Sequence, residues 1–115
     1  MAMLLMSNSL ITTDMKKLRN IHPGEVLKRE FLVPLGITAY RLSKEILIPQ
    51  TRISGIINGR RRITVDTAMR LSIFFGNSAK FWLGLQNDHD LEKERRSQQK
   101  VLRSIRHHVH DAGST

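Results

Sequence analysis

Between Thr38 and Arg62 the sequence TAYRLSKEILIPQTRISGIINGRRR repeats a helical apolar pattern twice within 25 residues. Leu42 and Ile46 lie four apart, and Ile53, Ile56 and Ile57 fall at i, i+3 and i+4, so each set lines one face of a short helix. Thr38 is a good N-cap for the first helix, Pro49 marks the start of the second, and Asn58-Gly59 ends it because both residues tolerate a left-handed C-cap. Two short helices joined by a tight turn result.

The flanking sequence continues in the same way. Pro23 suits a first helical turn, and Val26, Leu27, Phe31 and Leu32 recur at helical spacing up to Pro34, with Gly36 as a stop. Thr64 caps a fourth helix whose Ala68, Met69, Ile73 and Phe74 are expected to face inward, and Gly76 closes it. Ser78 opens a fifth carrying Phe81, Trp82, Leu85 and Leu91. Five helices, four of them short, predict an all-α bundle over residues 21–94. Residues 1–20 show no sustained period and are read as a flexible arm in which Met1, Met3, Met6 and Met15 each offer a translation start. Residues 95–115 form a basic tail, where Val101, Leu102, Ile105 and Val109 line up into a sixth helix if a partner covers them.

Charge then narrows the function. The 25-residue stretch holds Arg41, Lys44, Arg52, Arg60, Arg61 and Arg62 against Glu45 alone, so about half of the net charge of +9 sits on it. An anionic partner is implied: nucleic acid, anionic lipid or an acidic protein. Cysteine is absent, which excludes disulfides, thiolate metal sites and a Cys nucleophile. The start MAMLLM is too short to span a membrane and has no basic residue ahead of it, so a soluble cytoplasmic chain is expected. Ser-His-Asp sets, phosphate loops and metalloprotease helices are missing, and Asp88, Asp90 and Glu92 do not share a helix face, so no catalytic site is expected. His107, His108 and His110 are not read as a metal site, and no cofactor is expected.

With the isoleucines of the third helix turned inward, Thr51, Ser54, Gly55 and Asn58 point outward, with Gln50 and Arg52 on the flanks. Gln can pair bidentately with adenine, Arg with guanine, and a Thr methyl packs on thymine. An outward Gly55 leaves room for the helix to sit deep in a major groove. Thr38 and the N–H groups it caps face a phosphate, and Arg60, Arg61 and Arg62 add contacts to the backbone. The triple arginine also has a plainer reading, as compensation for the third helix dipole.

The helix pair resembles the helix-turn-helix of phage Cro and repressor proteins. Three motifs in order, IHPGEVL, ISGIINGRR and FWLGLQNDHDL, make residues 16–94 similar to the HigA branch, the antitoxins of type II toxin–antitoxin modules. That resemblance implies a Cro/repressor-like five-helix bundle in which Gln50, Thr51, Arg52, Ser54 and Gly55 face bases. It gives Asn58 a phosphate or capping role, and Arg41 stands with Thr38 and the arginines among the phosphate contacts. It also implies a homodimer on a palindromic operator, with the two third helices about 34 Å apart, and a cognate mRNA-cleaving toxin as a second partner. Phe81, Trp82 and Leu85 are the expected dimer contacts. The chain departs from the family at Leu47, where Gly is usual. A left-handed Leu is strained, which argues for a different turn geometry. Ser43 stands where the family has a small Ala, and Ala39 where many relatives have Gln. A stand-alone phage-type repressor and a basic protein-interaction adaptor are the alternative readings.

Overall fold

The computed structural model describes residues 19–109, and the regular elements among them are all helical. Most of the expected N-terminal arm, with its candidate start methionines, and His110 in the tail lie outside the described residues.

Helix α1 covers residues 23–35 in three parts: an α-helical turn Pro23–Val26, a π-helical stretch Leu27–Leu32 and a last turn Val33–Leu35. Pro34 has no N–H to give the preceding turn, and the Val33 N–H reaches back five residues to the Lys28 carbonyl. The wider register stacks Leu27 over Leu32, and both are buried. The helix therefore runs past Pro34 and stops at left-handed Gly36. At its start the Nδ1 of His22 accepts the Gly24 N–H at 2.9 Å. Burial, and after it the neighbouring His89, holds the His22 pKa below its ordinary value, which keeps that nitrogen an acceptor.

Helices α2 (Ala39–Ile46) and α3 (Gln50–Ile57) form the helix-turn-helix. Thr38 Oγ1 accepts the Arg41 N–H at 3.0 Å, and Leu42, Ile46, Ile53 and Ile56 are buried as their spacing requires. At the end of α3 only Gly59 is left-handed, while Asn58 keeps a negative φ. Helices α4 (Val65–Phe75), α5 (Ala79–Ser97) and α6 (Gln99–Ser104) follow, the last being the sixth helix that the tail pattern allowed.

The turn between α2 and α3 corrects the expectation for Leu47. This residue does adopt the left-handed conformation, at φ 60° and ψ 46°. Three contacts hold it: the Leu47 N–H bonds the Ser43 carbonyl, and Arg70 Nη1 donates to the Ile46 and Leu47 carbonyls at 3.0 and 3.1 Å. The side chain is 79% exposed, so nothing in the packing calls for leucine. Leu47→Gly is expected to raise unfolding stability by about 1 kcal/mol by removing the strain. A urea midpoint that fell instead would show that the left-handed leucine is not strained here.

Helix α4 is rolled relative to its predicted face. Thr67, Ala68 and Leu71 are buried, whereas Met69 and Ile73 are 54% and 82% exposed. Both faces carry apolar residues, so spacing alone does not choose between them; Arg70, reaching to the α2–α3 turn, marks the side that docks. Trp82 sits at the centre of the core with zero exposure, its ring 4.8 Å from Phe31 and 5.9 Å from Phe75, and its Nε1 donates to Asn77 Oδ1 at 2.9 Å.

Two contacts fix α3 against the rest. A Cβ on Gly24 would stand 1.7 Å from the Ile56 carbonyl oxygen, so the start of α1 and the end of α3 touch backbone to backbone. On the other side buried Gln86 of α5 accepts the Ile63 N–H at 2.7 Å and donates to Asp90 Oδ1 at 2.9 Å. The arginine loop is thereby tied to α5.

Candidate nucleic-acid interface

The loop after α3 folds back over it because the N–H groups of Arg60 and Arg61 both donate to the Gly55 carbonyl, at 2.8 and 3.1 Å. A shallow concavity results, lined by Gln50, Thr51, Ser54, Gly55, Arg60 and Arg61. Four of the five residues predicted to face bases thus meet two of the predicted phosphate contacts on one surface. Gln50, Thr51, Arg60 and Arg61 are exposed, and Ser54 is half-buried. Among the described residues neither Arg60 nor Arg61 has an acidic partner. Their charge is available to an anion.

Gly55 does not have the open aspect expected of it. It is buried, and a Cβ there would stand 2.9 Å from Cδ of Arg61. The Arg61 stem lies across the helix at this point, so Gly55 seats an arginine where a groove-facing gap was predicted. The helical wheel places Gly55 outward correctly but carries no information on a loop that returns over it.

The remaining predicted residues are dispersed. Arg52 stands outside the concavity with Nη1 4.0 Å from Asp66 of α4, and Arg62 pairs with Asp90 of α5. Arg41 lies 3.7 Å from Glu45 on an exposed face. The Thr38 hydroxyl is occupied as a cap, and Asn58 is exposed at the end of α3. Of the expected dimer contacts, Trp82 is withdrawn, since a fully enclosed side chain cannot reach a second copy. Phe81 retains partial exposure and Leu85 is half-buried. Sequence reasoning missed the supporting residues Gly24, Gln86 and Asp90. Each lies inside IHPGEVL or FWLGLQNDHDL, and only the distant segment it touches reveals its role.

The helix-turn-helix family profile matches residues 28–82. Virulence-associated protein I of Dichelobacter nodosus is 41% identical over 81 residues, covering 70% of this chain and 75% of that protein. Antitoxin HigA-1 of Vibrio cholerae is 34% identical over 90 residues, covering 78% of this chain and 85% of the relative. The chain belongs to the HigA antitoxin family. The HigA likeness extends to coordinates. A Pseudomonas aeruginosa HigA antitoxin solved with the higBA promoter superposes with a TM-score of 0.76 at 32% identity, over 79% of this chain and 100% of that one. The fold is the Cro/repressor-like bundle expected from the sequence.

Proposed function

We propose that this HigA-family chain is a sequence-specific DNA-binding antitoxin that represses its own operon as a dimer and neutralises a cognate mRNA-cleaving toxin. The observation that carries the DNA reading is the concavity on α3, where Gln50, Thr51 and Ser54 stand beside Arg60 and Arg61. Hydrogen-bonding side chains on an exposed helix read base edges, and flanking guanidinium groups fix the helix on the phosphates. The Pseudomonas aeruginosa relative with its promoter supports the same docking. Arg52 and Arg62, each near a carboxylate, contribute to bases or phosphate only by exchanging that partner. Asn58, Thr38 and Arg41 lie at or beyond the edges of the surface. Two copies present α3 to successive major grooves of a palindromic operator, about 34 Å apart, and exclude the transcription machinery. No described helix is long and apolar enough to cross a membrane. A soluble partner such as DNA suits the basic surface better than lipid.

Readers and positioners separate by mutation. Gln50→Ala is expected to relax preference at one or two base pairs per half-site by about 1–3 kcal/mol, while Arg60→Ala weakens binding to all duplexes alike. Fluorescence anisotropy against an operator and its single-base variants reads both effects. If the two substitutions give the same profile across the panel, the division of roles is wrong. The toxin reading is tested separately, by co-purification with the product of the adjacent small open reading frame.

A further inference from the structure

Two bare apolar surfaces of this chain complement each other. One is the arm formed by α6 and the residues after it, where Val101, Leu102 and Ile105 fall on one side and are 59%, 46% and 66% exposed. A helix as short as α6 does not hold itself together in water with that side uncovered. The other is a groove between the start of α1 and the middle of α5, lined by Ile21, Val26, Leu85 and Leu91. Asp88 stands on its rim. Among the described residues Asp88 has no cationic partner, and Lys100 and Arg103 of the arm have no acidic one.

We propose that the arm of each copy lies in the groove of a second copy, so that the two α5–α6 rods cross antiparallel about a two-fold axis. This rests on the dimer reading above and assigns its surface. With the axis between Arg95 and Arg96, Arg103 of one copy faces the partner's Asp88, and the apolar side of the arm covers the partner's groove. The arginines at the axis are each paired with Glu92 of their own chain, at 2.9 and 2.7 Å, which tempers their mutual repulsion. The arm is apolar and basic, and the groove is apolar with an acidic rim. A closed two-fold contact covers both surfaces in both copies, whereas a different partner covers only one of them. The arrangement also reaches the DNA surface: Gln86 and Asp90 of α5 hold Ile63 and Arg62, so joining two α5 helices sets the spacing of the two arginine loops.

Sedimentation velocity at micromolar protein without DNA tests this independently of operator binding. The full chain is expected at twice 13.2 kDa, and the double variant Leu102→Glu/Ile105→Glu as a monomer with unchanged helical circular dichroism. Arg103→Glu and Asp88→Lys are each expected to weaken dimerisation by about tenfold, since every dimer holds the pair twice, and together to restore it. All four positions lie outside the buried core, so loss of the dimer is not loss of the fold. A dimer indifferent to these changes overturns the arm contact and leaves the two-half-site reading standing. A monomeric wild-type chain overturns both.

Discussion

Operator affinity is expected to fall by about 10³ to 10⁵ between roughly 50 and 200 mM salt, if the dimer makes about 6 to 10 phosphate contacts. The expectation comes from where the charge sits. Arg60 and Arg61 carry no carboxylate partner among the described residues, whereas Arg41, Arg52 and Arg62 each stand near one. Binding DNA releases counterions from the duplex for every phosphate neutralised, so the slope of log affinity against log salt counts contacts directly. A slope near the low end of the range would mean that the paired arginines keep their intramolecular partners on DNA. A flat response contradicts groove binding through this surface. Replacing Arg60 or Arg61 is expected to lower the slope by about one for each phosphate lost per protomer.

Gly24→Ala is expected to remove most of the folding stability. The added methyl would lie 1.7 Å from the Ile56 carbonyl oxygen, and a backbone atom cannot rotate aside as a side chain can. α1 and α3 must separate, which opens the core around Leu27 and Ile56. Overpacking ordinarily costs about 1–3 kcal/mol and more where backbone must move. The loss here is expected above about 3 kcal/mol, against a total of about 5–15 for a domain of this kind. Chemical denaturation of wild type and variant checks it. Gly36→Ala is the control: it too has positive φ, but a Cβ there meets nothing within 4 Å. Its cost is expected to be near 1 kcal/mol from the backbone alone. Equal losses at the two positions contradict the account of Gly24.

These contrasts show what the sequence makes legible. Periodicity and capping found every helix of the bundle, because Thr38, Thr64 and Ser78 act locally and their partners lie three residues on. The outward side of α3 was legible for the same reason. What resisted prediction depends on segments far apart in the chain. The π-helical register of α1 lets the helix run past Pro34, and the roll of α4 depends on which of two apolar faces finds the core. Leu47 takes the left-handed turn that the helix-turn-helix geometry imposes despite its side chain, because Arg70 arrives from 23 residues downstream to satisfy the carbonyl. Gly55 was placed on the correct side of its helix and given the wrong neighbour, since the Arg61 stem reaches it only after the loop has turned. Trp82 reads equally as core or contact until the rings of Phe31 and Phe75 are seen around it.

The central claim is that the face of α3 bounded by Arg60 and Arg61 reads a particular duplex. Titration of a labelled duplex from the region upstream of the chain's own gene, beside a scrambled duplex of the same length and composition, tests it most directly. At physiological salt the account predicts a preference of about 10³ or more for the upstream duplex. Equal affinity for the two duplexes would contradict it.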